Sequence, residues 1–173
     1  MNKRALISVA LVAAPLLAGS SVAARPGQSG LAAVRAATAI YHDVAQAEAA
    51  GHELGYTGPA LDHCIAHPED GAMGYHYFDR DSIHDLELDP LRPEGLVYEP
   101  GPNGQLRLVA VEWIVRESAW EAEYGEDAPP PQVLGEEMHV LNPVLGWYIL
   151  HAWVWKPNPS GMFNDWNPRV DCG

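Results

Sequence analysis

Two apolar runs, Gly95–Glu99 and Gln105–Arg116, flank Pro100-Gly101-Pro102-Asn103-Gly104. An Asn-Gly pair between apolar segments signals a tight hairpin, because both residues accept positive φ. The middle of the chain is therefore committed to antiparallel strands. Along the second run Val109, Val111, Trp113 and Val115 share one face, and Ala110, Glu112 and Ile114 share the other. Glu112 is thus a carboxylate set between apolar neighbours. A second strand signal lies at Met73–Phe78, where aromatic residues suit a pleated, half-buried surface. A third lies at Trp147–Trp155, with Ile149, His151, Trp153 and Trp155 on one face.

Helical patterning is concentrated ahead of these strands. Leu31–Ala50 contains no Gly or Pro, and Ala33, Ala37, Ile40, Val44 and Ala47 recur at spacings of three and four. That is the pattern of one amphipathic helix, started by Ser29 or Gly30 and stopped at Gly51. Ala60–Ala66 reads as a short helical piece carrying Cys64, and Asp79–Asp89 holds room for a single helical turn. Asn142-Pro143, Asn158-Pro159 and Asn167-Pro168 each mark a turn, so the tail beyond Lys156 is irregular. A helix followed by strands predicts an α+β fold, with the helix packed on a curved antiparallel sheet or partial barrel.

The N-terminus reads as an export signal. Lys3 and Arg4 precede the apolar run Ala5–Gly19, and Val22 and Ala24 suit signal-peptidase subsites ahead of Arg25-Pro26-Gly27. The run is shorter than the about 20 residues of a membrane span. Ser20 stands where a lipoprotein needs its acceptor cysteine. The expected organisation is a cleavable signal over 1–24, a flexible leader over 25–30 and one globular domain over 31–173, secreted or periplasmic, with no membrane anchor once cleaved. Both cysteines, Cys64 and Cys172, fall in the mature part. In an oxidising compartment an isolated pair forms a disulfide, here tying the penultimate residue far back into the chain. The formal net charge of −13 repels phosphate backbones and anionic lipids. Nucleic acid is excluded as a partner, while a metal cation or small molecule is compatible. Nothing in the sequence specifies an oligomeric state.

Eight histidines supply the candidate chemistry. His76 in Gly-Tyr-His-Tyr, His139 ahead of the Asn142-Pro143 turn and His151 inside the last strand are candidate metal ligands. Glu112, on a neighbouring strand, is the candidate fourth ligand or a general base. Such a set suits Zn or Cu, although it matches no spacing motif. His63 and His67 form a weaker local pair, because Pro68 disfavours helix at His67. Glu112 with Glu99 or Asp165 would be a carboxylate pair for acid–base work. An alternative non-catalytic reading places a sugar, peptide or small molecule on Trp147, Trp153, Trp155 and Trp166. A third makes the chain a structural or interaction protein of the cell envelope.

Three segments carry a resemblance: Asp62-His63-Cys64 with Gly71–Tyr77, Leu88–Glu94, and Leu150–Phe163. Together they resemble a family of small exported bacterial proteins without an assigned activity. The resemblance implies bacterial origin and a shared fold across most of the mature chain. It implies no cofactor and no catalytic residue.

Overall fold

The computed structural model describes residues 26–56, 61–140 and 145–173. The expected export signal at 1–24, most of the expected Gly55–Pro59 turn and the expected Asn142-Pro143 turn lie outside the described residues.

The architecture is α+β, as the sequence predicts. Helix α1 (Pro26–Thr38), a 3₁₀ turn (Ala39–His42) and helix α2 (Val44–Ala49) lead into strands β1 (His52–Leu54), β2 (Ile65–His67) and β3 (Gly71–Asp79). A 3₁₀ turn at Ser82–His84 precedes the hairpin of β4 (Gly95–Pro100) and β5 (Leu106–Arg116). Helix α3 (Glu117–Tyr124), the short strands β6 (Gln132–Val133), β7 (Glu136–Glu137) and β8 (His139–Val140), and β9 (Trp147–Ala152) complete the order. The main sheet is antiparallel and runs β1-β3-β4-β5-β9-β8, with β2 also paired to β3. It stays open and does not close into a barrel.

Several local expectations are corrected. The single helix over Leu31–Ala50 is broken: Asp43 is extended, and its side chain accepts from the Ala45 N–H to start α2 afresh. This is N-capping inside a run that composition alone reads as continuous. Helix α1 is described from Pro26, a residue suited to a first helical turn, and takes in Pro26–Gly30 ahead of the expected start at Ser29 or Gly30. Within Ala60–Ala66, Ile65 and Ala66 belong to β2 and not to a helix. The hairpin turn closes through Gly104 N–H to the Gly101 carbonyl, at 3.0 Å. Gly104 takes positive φ and Asn103 does not. Pro102 at the second turn position favours a type I turn with the glycine after it, in place of the two-residue Asn-Gly turn.

Each face of the sheet has its own cover. Tyr77, Leu96, Tyr98, Val111, Trp113 and Leu150 pack with Val34 and Ala47 under the N-terminal helices. The opposite face carries Val97, Ala110 and Trp153 beneath Val170 of the tail, and Phe78, Ile114, Trp147 and Ile149 beside them. The tail is fastened twice. Asn167 and Ala72 exchange backbone hydrogen bonds at 3.1 and 3.2 Å, and Cys64 and Cys172 form the expected disulfide across 108 residues. Strand β9 ends at Ala152, before a tight turn from Val154 N–H to the Ala152 carbonyl. That turn sends Trp155 to the helix side, so Trp155 does not share the face of His151 and Trp153.

Candidate functional site

The tail-covered face holds three buried polar side chains, one each on β3, β5 and β9. Alternation puts His76 and Phe78 of β3 on this face, Gly95 and Val97 of β4, Glu112 and Ile114 of β5, and Ile149 and His151 of β9. Glu112 is the direct cross-strand partner of His151 and also pairs with Gly95. His76 stands one strand beyond Gly95. The glycine makes the approach feasible: a Cβ built there would lie 2.7 Å from Glu112 Oε2 and 3.1 Å from Glu112 Cβ. Only a residue without a side chain lets the carboxylate lie across β4 toward His76.

The resulting group is tight and dry. One ligand atom from each of His76, Glu112 and His151 lies within 4.8 Å of the others, and all three residues are buried. His76 Nε2 is 3.5 Å from Glu112 Oε1, and His151 Nε2 is 2.8 Å from the same oxygen. The second contact is close but poorly directed for a hydrogen bond. Glu112 Oε2 and His76 Nδ1 are buried with no hydrogen-bond partner among the described residues. Burial alone would raise the Glu112 carboxyl; the imidazoles of His151 and His76 outweigh it and hold the group well below the usual carboxylate range. Burial likewise pushes His151 down, but the Glu112 and Asp165 charges prevail and raise it well above an ordinary imidazole.

Behind His151 stands Asp165, carried over the sheet by the fastened tail. Its Oδ1 lies 3.6 Å from His151 Nδ1, and its Oδ2 lies 3.0 Å from His139 Nε2. Desolvation would raise Asp165, yet the hydrogen bond with His139 and the nearby His151 imidazole bring it down to about 2. The same bond raises His139. His139 therefore reaches the cluster through Asp165, on a half-exposed side chain, and is not one of the three converging groups. Asp165 is the residue that sequence reasoning placed only as one of two arbitrary carboxylate partners for Glu112. No local pattern distinguishes it, and its position follows from the disulfide and the Ala72–Asn167 bridge.

The other candidates lie elsewhere. Glu99, nearly buried, accepts from Arg107 at 2.5 Å and from Lys156, in an ion-pair network apart from the histidine group. His63 and His67 bond to the neighbouring Asp62 and Asp70, and Pro68 directly follows β2. Trp147, Trp153 and Trp155 belong to three different apolar clusters. Trp147 and Trp153 are core residues at 7 % and 1 % exposure, while Trp166 packs against His67.

Compared with protein-family models, with curated proteins and with solved structures, the chain matches none.

Proposed function

We propose that His76, Glu112 and His151 bind one divalent transition-metal ion, zinc or copper, in a protein exported from the cytoplasm. The observation that carries this is the convergence of two imidazole nitrogens and a carboxylate oxygen, from three strands, in a buried space. Ligands about 2.0–2.1 Å from a tetrahedral ion lie roughly 3.3 Å apart, close to the His76–Glu112 distance of 3.5 Å. The misdirected His151–Glu112 contact is what two donors aimed at a shared third point produce. Leaving a buried carboxylate oxygen unpartnered costs stability, and a cation at this point offsets that cost. Nitrogen and oxygen donors together suit zinc and copper better than calcium or magnesium, which take oxygen alone.

Asp165 completes the arrangement from outside. A carboxylate on the far nitrogen of a ligating histidine fixes its orientation and strengthens it as a donor. Glu112 acts here as a ligand, and His139 orients Asp165. Export is supported by the Cys64–Cys172 disulfide, which belongs to oxidising compartments. Among the described residues, no helix is long and apolar enough to cross a membrane.

The test is a calorimetric titration of chelator-treated protein with Zn²⁺ and with Cu²⁺, with Fe²⁺ as a competitor sharing the donor set. One ion per chain is expected, bound markedly more weakly in His76→Ala and His151→Ala. Wild-type affinity retained in both variants refutes the assignment.

A further inference from the structure

The His76–Glu112 side of the site borders a small chamber of about 30 Å³. Its polar lining is His76 and Glu112; Met73, Phe78, Ile114 and Ile149 are among its apolar walls. The lining continues to Leu61 and Leu145, which are half-buried. Such a volume has consequences. A water molecule needs about 10–15 Å³ measured this way, so the chamber accommodates a water or two, or a molecule of a few atoms. It is far below the roughly 300–1,000 Å³ of pockets that take organic ligands.

The donor count points the same way. Among the described residues three protein ligands converge, which leaves a tetrahedral ion one position short, the arrangement of sites that bind an exogenous ligand and not of closed structural sites. His151 is wholly buried, stacked on Trp153 and backed by Asp165, so that side is filled by protein. The chamber is the space that His76 and Glu112 share.

We infer that the ion keeps one coordination position open toward this chamber, and that the position accepts a small inorganic ligand of a few atoms while excluding organic molecules. This rests on the metal-site reading above. Walls of Phe, Ile and Met favour weakly hydrated ligands and offer no hydrogen bonds to hold a larger polar one. The chemistry open to such a site is that of water, hydroxide, dioxygen or a comparable small molecule bound at the metal.

The experiment uses the full folded chain loaded with Cu²⁺, its copper content measured before and after each addition. Azide and imidazole are then added separately, and the copper electron paramagnetic resonance and charge-transfer absorption are recorded. Azide is expected to shift both signals saturably. Imidazole, added at the same concentrations, is expected to leave them unchanged with the copper retained. Ile149→Ala, which enlarges the chamber, is expected to let imidazole shift the spectrum. Coordination of imidazole by the wild-type site would overturn the size limit. Bound copper with no response to azide would show a closed site, ending this inference while the metal reading stands. Failure of the wild-type chain to bind copper or zinc stoichiometrically would end both.

Discussion

Gly95→Ala separates the proposed architecture from an ordinary strand. In a strand glycine is entropically costly, and even at the first position, where Gly95 stands, replacing it with alanine is ordinarily favourable by up to roughly 0.5–1 kcal/mol. The backbone here presents no obstacle, since Gly95 is not among the glycines with positive φ. The obstacle is Glu112. The new methyl would meet Oε2 at 2.7 Å, Cβ at 3.1 Å and Cδ at 3.5 Å. Optimal carbon contacts lie at about 3.5–4.0 Å, so the carboxylate must retreat by several tenths of an ångström. The Cβ contact blocks relief by simple rotation of the side-chain end. Overpacking of this kind costs about 1–3 kcal/mol, which exceeds the entropic gain and reverses the sign. The retreat also moves Glu112 away from His76 and His151, and we expect zinc to bind about 10–100-fold more weakly, the range for disturbed ligand support. Urea unfolding of the metal-free protein gives the first quantity, and competitive zinc titration gives the second. A Gly95→Ala protein that is stabilised, with unchanged zinc affinity, would refute the claim that this glycine exists to admit Glu112.

Three further outcomes follow from the same geometry. Asp165→Asn should weaken zinc binding by about 10–100-fold, whereas His139→Ala, one residue further out, should cost less; equal losses in calorimetry would contradict the placing of His139 behind Asp165. Replacing Cys64 and Cys172 together by serine opens a 108-residue loop and should cost about 4–5 kcal/mol in the chain-entropy model. Chemical denaturation measures that loss, and metal affinity should fall with it because the tail that holds Asp165 is released. Glu94 supplies the pH dependence: burial lifts its carboxyl to about 8, against the hydrogen bond it accepts from the Ile114 N–H. An acid raised on folding favours the folded state while protonated. The wild type should thus lose stability as pH rises from the ordinary glutamate range to about 8, by up to about 1.4 kcal/mol per unit. Glu94→Gln keeps an acceptor for Ile114 and should flatten that slope in denaturation series across pH; an unchanged slope would contradict the assignment.

What the sequence revealed was set by local patterning, and what it concealed was set by long-range pairing. Alternation along Gln105–Arg116 was enough to isolate Glu112 on an apolar face, and the aromatic contexts of His76 and His151 were enough to place both on strands. Their meeting depends on β9 pairing with β5 in the one register that sets His151 opposite Glu112, and no periodicity encodes that. The purpose of Gly95 was invisible for the same reason, because it looks like the first residue of a strand until the carboxylate above it is seen. Asp165 lies in an irregular tail whose path is dictated by a disulfide and one bridge, so its role emerges only in three dimensions. Asp43 broke the predicted helix because an N-cap competes locally with an otherwise unbroken alanine-rich pattern. The tryptophans read as one cluster because they are close in sequence, and the turn after Ala152 sends Trp155 to the face opposite Trp147 and Trp153.

The most direct measurement is X-ray absorption spectroscopy on the zinc-loaded chain, with Glu112→Gln and His76→Ala alongside. The account predicts a low-coordinate shell of nitrogen and oxygen at about 2.0–2.1 Å, with imidazole scattering that diminishes in His76→Ala. A shell of oxygens alone, unaltered by either substitution, would place the ion on surface carboxylates and contradict the buried His76–Glu112–His151 site.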